Sequence, residues 1–113
     1  MVTIYHNPRC MKSRETLALL EEKKEDISIV EYLKEPPSRE QLVEIIEMLG
    51  ISPFQLIRKG EADYKNNFKG KDLSDDEWIE AMLQYPKLIE RPIVIKDGKA
   101  ALGRPPVQVL DIL

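Results

Sequence analysis

Cys10 is the chain's single cysteine, set in the run His6-Asn7-Pro8-Arg9-Cys10-Met11-Lys12-Ser13-Arg14. A cysteine is nucleophilic as its thiolate, so its surroundings decide whether it reacts. Val2-Thr3-Ile4-Tyr5 reads as a strand, β-branched and aromatic, and Met11 onward reads as a helix. Cys10 therefore falls at a helix start. Backbone N–H groups without intrahelical acceptors and the positive dipole end stabilise a thiolate there, and they favour an oxyanion equally. Arg9, Lys12 and Arg14 add positive charge nearby. The competing reading of Cys10 is a small buried hydrophobe.

Two neighbours belong to the same loop and helix start. His6 raises the thiolate fraction if it stands beside the sulfur as an imidazolium, or it is a loop histidine bonded to backbone. Ser13 donates a hydrogen bond to the sulfur, or it satisfies local backbone in the first helical turn. Arg58, Arg91 and Arg104 each sit at a junction: after a short helical turn, before Pro92, and before Pro105-Pro106. Converging at one sheet edge, three guanidiniums bind a tetrahedral oxyanion through forked hydrogen bonds; dispersed, they are solvated surface charges. Arg91-Pro92 is a candidate cis peptide.

Other thiol and nucleotide motifs fail on specific residues. A cysteine phosphatase loop needs Arg where Thr16 stands, and a C-x-x-C redox pair needs Cys where Ser13 stands. No P-loop or G-x-G-x-x-G occurs. A Cys-His protease pair lacks an identifiable third partner.

The elements that must position these residues follow in order. The first helix is expected from about Met11 to Lys24, with Leu17 and Leu20 facing inward. Its end, from Glu21 to Asp26, is a solvated charge run. Ile27-Ser28-Ile29-Val30-Glu31-Tyr32 predicts a second strand, stopped by Pro36-Pro37. Ser38 to Gln41 is a capping box ahead of a helix carrying Leu42, Ile45, Ile46 and Leu49, and Gly50 suits its C′ position. Ser52 to Ile57 predicts a short helical turn, and residues 61–73 read as a polar loop. Ser74 to Glu77 is a second capping box, and Trp78, Met82 and Tyr85 share the core face of the next helix. Ile93-Val94-Ile95 predicts a third strand, Asp97-Gly98 a tight hairpin, and Lys99 to Leu102 a fourth strand. A last helix places Val109, Leu110 and Ile112. This order predicts an α/β fold: a thioredoxin-like mixed four-stranded sheet flanked by helices, with an inserted helical region.

Composition limits the function classes. At 113 residues and 42% hydrophobic, one domain over residues 1–113 is expected. A net charge of −3 argues against nucleic-acid binding through bulk charge. No apolar run approaches the ~20 residues of a membrane span, and the N-terminal residues lack a signal-peptide pattern. A cytoplasmic location is expected. One cysteine and one histidine exclude an intrachain disulfide and argue against a Cys/His zinc site.

The run from His6 to Arg14, with Tyr32-Leu33, Pro36-Pro37-Ser38, Leu56-Ile57-Arg58-Lys59, Glu90-Arg91-Pro92-Ile93-Val94 and Gly103-Arg104-Pro105, resembles the glutaredoxin-linked arsenate reductase family, ArsC. The pattern at Gly103-Arg104-Pro105-Pro106 is most similar to its chromosomal arsenate-reductase-like branch. The resemblance implies a thioredoxin-like fold, with Cys10 as nucleophile and Arg58, Arg91 and Arg104 holding arsenate. It implies that His6 helps depress the thiol pKa and that Pro92 occupies a cis-proline position. It implies glutathione as external thiol donor and glutaredoxin as partner; no bound cofactor is required for such a reaction, and a monomer is expected. Two rival functions stand beside it. One is another glutathione-dependent oxidoreductase of this fold. The other is a redox-linked transcription regulator binding RNA polymerase, which typically carries C-x-x-C and against which Ser13 counts.

Overall fold

The β-branched start of the chain forms strand β1 (Val2–Tyr5), and alternation along it buries Val2 and Ile4 fully. The computed structural model describes all 113 residues, Met1–Leu113. The chain divides into two compact units, Met1–Glu35 with Arg91–Leu113, and Pro36–Glu90.

In the first unit β1 is followed by helix α1 (Met11–Glu22) and strand β2 (Ile27–Val30). Both end two residues before their expected limits; Lys24, at φ 57°, turns the chain between them. The unit resumes with β3 (Ile93–Lys96), β4 (Lys99–Leu102) and a C-terminal 3-10 helix (Pro106–Ile112). The strand order is β2-β1-β3-β4. β1 pairs with β2 in parallel, Val2 opposite Ile27 and Tyr5 opposite Val30. β3 runs antiparallel to both β1 and β4. The Asp97-Gly98 hairpin turns through positive φ at both residues, 51° and 77°, matching the right-handed twist of the strands. This is the mixed sheet of a thioredoxin-like fold, and Val2, Ile4 and Val94 pack with Leu20 of α1 and Val109 of the C-terminal segment.

That last segment differs from expectation in its period. Pro106, Val109 and Ile112 recur every three residues, so a three-residue turn puts them on one face. Pro106 and Val109 are buried and Ile112 packs against the core, whereas Leu110 turns outward.

The second unit contains helices α2 (Arg39–Leu49), α3 (Ala62–Asn67) and α4 (Asp75–Gln84), with 3-10 turns at Pro53–Leu56 and Pro86–Leu88. Ser38 and Ser74 form the two expected capping boxes, accepting from the backbone N–H of Gln41 and Glu77. Gly50 closes α2 at φ 68°, a conformation that other residues rarely adopt. Leu42, Ile45, Ile46, Trp78 and Met82 are buried, as their helical spacing predicts. α3 corrects the loop expected over residues 61–73. It buries no residue of its own, so it leaves no apolar periodicity in the sequence. Its Tyr64 and the following Phe68 instead flank Trp78, with ring centroids 6.3 and 5.9 Å away.

Candidate functional site

The site grows from the β1–α1 junction. The His6 N–H donates to the Val30 carbonyl at 2.8 Å, which extends the sheet register one residue beyond β1. The chain then turns: the Cys10 N–H donates to the Asn7 carbonyl, and the Arg9 N–H to Asn7 Oδ1, both at 3.0 Å. Asn7 thus closes the turn with its own side chain, the usual reason for Asn in this position. Helix α1 starts immediately, as the Arg14 N–H donates to the Cys10 carbonyl at 3.0 Å. Cys10 is the N-cap residue, extended at φ −93° and ψ 123°. The residue as a whole is 9% exposed.

Burial pushes the Cys10 thiol up, but four groups outweigh it. They are the backbone N–H of Ser13, the Arg91 charge, the backbone N–H of Lys12, and Arg104. The thiol ionises below the ordinary cysteine range as a result. Arg104 Nη1 lies 4.0 Å from Cys10 Sγ and donates to the Arg91 carbonyl at 3.2 Å. Arg91 is buried, and the peptide bonds Arg91-Pro92 and Arg104-Pro105 are both cis. The first unit thus brings Arg91 and Arg104 to the thiol end of α1. The arrangement suits a sulfur nucleophile meeting an oxyanion, because N–H groups and guanidiniums attract the same negative charge.

Of the two readings of Ser13 the structure shows the one in which it satisfies local backbone, and it gives His6 a side-chain partner, Ser13. Ser13 Oγ lies 2.6 Å from His6 Nδ1 and accepts from the Asn7 N–H at 3.0 Å. It is the Ser13 backbone N–H, not its hydroxyl, that acts on the sulfur. Burial holds His6 below the ordinary histidine value; Glu31 raises it and Arg14 lowers it. That lowering favours the neutral ring at pH 7, and His6 is not among the groups that lower the Cys10 thiol. The neutral ring instead anchors Ser13, and Ser13 ties the loop to the first turn of α1.

Arg58 belongs to the second unit. Its N–H donates to the Leu88 carbonyl at 2.7 Å, and Nη1 pairs with Glu61 Oε2 at 3.0 Å. No group of three or more His, Cys, Asp or Glu is placed to hold a metal ion. No helix is long and apolar enough to cross a membrane.

Sequence reasoning missed two contributors. Glu31 reaches His6 electrostatically from just beyond β2, which only the parallel β1–β2 pairing reveals. Thr16 is fully buried on α1, and its hydroxyl donates to the Lys12 carbonyl at 2.8 Å. A threonine on a charged helical stretch gives no signal of this.

Residues 5–112 match the sequence profile of the ArsC family. An arsenate reductase of Haemophilus influenzae is 48% identical, with 99% of this chain and 98% of that protein aligned. An uncharacterized protein of Escherichia coli K12, YfgD, is also 48% identical, over 99% of this chain and 96% of its own length. The solved structure of an arsenate reductase from Vibrio cholerae superposes with a TM-score of 0.94 at 49% identity, covering 99% of this chain and 97% of that one.

Proposed function

The chain belongs to the ArsC family, and on that premise we propose that it is an arsenate reductase in which Cys10 is the reacting thiol. The observation that carries the reading is the N-cap placement of the sole cysteine, its sulfur addressed by two backbone N–H groups and by Arg91 and Arg104. Residues 1–113 act in this reading as one functional domain.

The Cys10 thiolate attacks arsenic; a sulfur–arsenic bond forms and water leaves. Arg91 and Arg104 hold the oxyanion and offset its charge during the attack. Arg58 serves as a third arsenate ligand, a role supported by the family likeness. An external thiol then attacks the Cys10 sulfur. The sulfur–arsenic bond breaks, its electron pair stays with arsenic, and arsenite departs as a mixed disulfide forms. Per arsenate reduced, two thiols become one disulfide and one water is released. A second protein thiol is absent because Cys10 is the only cysteine. Glutathione therefore resolves the adduct, and glutaredoxin reduces the mixed disulfide by exchange. His6 and Ser13 position the helix start that presents the N–H groups. The protein works in this reading as a cytoplasmic monomer without a bound cofactor.

The test is arsenate-dependent NADPH oxidation coupled through glutathione, glutaredoxin and glutathione reductase. Wild type is expected to turn over and Cys10→Ser is not. Omitting glutaredoxin should slow the wild type sharply. Equal turnover by folded Cys10→Ser contradicts the role of Cys10.

A further inference from the structure

Gly103 stands directly between β4 and Arg104, and its need for glycine is one of space. Its φ lies outside the left-handed region, so backbone conformation does not demand glycine there. A Cβ built on it would overlap Thr16 Oγ1, lie 2.7 Å from Pro92 Cγ and 3.2 Å from Thr16 Cγ2. Neither neighbour can yield freely. Thr16 is fully buried with its hydroxyl engaged at the Lys12 carbonyl, and Pro92 is a rigid ring. The Gly103 N–H also donates to the Pro92 carbonyl at 2.9 Å, which draws β4's end against the Arg91-Pro92 segment.

Three parts of the thiol's environment meet at this one glycine. Thr16 lies on α1, whose first turn presents the Lys12 and Ser13 N–H groups to the sulfur. Pro92 follows Arg91, and Arg104 follows Gly103. Arg104 in turn donates to the Arg91 carbonyl, which ties the Arg104 side chain to the Arg91 backbone. A side chain at 103 must push α1 away from the arginine-bearing segments or twist those segments away from Cys10.

We propose that Gly103 is a positioning residue for the reaction: its missing side chain lets α1 close on the Arg91-Pro92 and Arg104 segments and sets the distance from both guanidiniums to the Cys10 sulfur. The inference rests on Cys10 being the reacting thiol. It does not rest on arsenate, because alkylation of the sole cysteine reports thiolate character directly.

The experiment compares wild type, Gly103→Ala, Thr16→Ala and the double variant. For each, the pH midpoint of iodoacetamide alkylation, and KM and kcat for arsenate, are measured on protein shown folded by circular dichroism. Gly103→Ala should raise the alkylation midpoint by roughly 0.5 pH or more, since opposite charge beside a thiol favours its ionised form. It should raise KM by about tenfold with a smaller effect on kcat, as a displaced charged hydrogen-bond donor does. Adding Thr16→Ala removes the tightest overlap and leaves the Pro92 contact, so the double variant should fall between Gly103→Ala and Thr16→Ala. Folded Gly103→Ala with a wild-type midpoint and KM overturns the proposal, even where its melting temperature falls. If Gly103→Ala does not fold, the double variant is read against Thr16→Ala, and identical midpoints overturn it. Arsenate turnover lost throughout, with the alkylation differences kept, contradicts the reductase reading and leaves the positioning role standing.

Discussion

Ser13 Oγ sits 2.6 Å from His6 Nδ1, and both side chains are buried. The serine divides its polar groups: hydroxyl toward histidine and the Asn7 N–H, backbone N–H toward the sulfur. Ser13→Ala therefore removes the anchor and keeps the sulfur's donor. The variant should lose about 1–3 kcal/mol of stability in urea unfolding, because buried partners of the hydroxyl are left unsatisfied. Its alkylation midpoint should rise modestly, because the helix start loses its anchor while the donor N–H itself is kept. A large midpoint change at unchanged stability means that the hydroxyl itself serves the sulfur.

His6 is the chain's only histidine, so its ring protons are resolvable by NMR without ambiguity. Burial lowers its folded pKa below the ordinary 6.5. The unfolded chain then binds the proton more readily than the folded one. The His6 contribution to stability is fully present above about pH 6.5 and is lost as pH falls toward and through the folded midpoint. The NMR titration should give a midpoint below 6.5, and His6→Gln should flatten the loss of stability over that window. A midpoint above 6.5 restores the imidazolium reading.

Arg104→Ala and Arg91→Ala should both raise KM for arsenate by about tenfold or more and raise the alkylation midpoint, since each loses a charge near the thiol. Arg91 is buried and Arg104 exposed, so Arg91→Ala should also cost more stability. Steady-state kinetics and melting curves separate the two. Unchanged KM in both variants removes the oxyanion role from this pair.

Arg58→Ala tests the third arginine separately. The expected result is a raised KM for arsenate, with the far-ultraviolet circular dichroism of the wild type. An unchanged KM assigns Arg58 to its ion pair with Glu61 alone.

Much of the fold was legible because several signals are local. Capping boxes at Ser38 and Ser74, the Gly50 cap and the Asp97-Gly98 hairpin each depend on residues a few positions apart. Cys10 was legible for the same reason: a strand, a short turn and a helix fix it at the N-cap. What the sequence hid is either non-periodic or long-range. α3 buries nothing, and the C-terminal segment follows a three-residue period too short to stand out. The Ser13 division of labour depends on which atom faces the sulfur. The Gly103–Thr16 approach joins opposite ends of the chain and becomes visible only when β4 is docked on the sheet.

The most direct test of the central claim is arsenic speciation. Wild type and Cys10→Ser are incubated with arsenate, glutathione and glutaredoxin, and arsenite is quantified after chromatographic separation. Arsenite formed by the wild type and absent with the folded variant is the expected result. Arsenite formed equally by both, or by neither while a known arsenate reductase is active in parallel, contradicts reduction through Cys10.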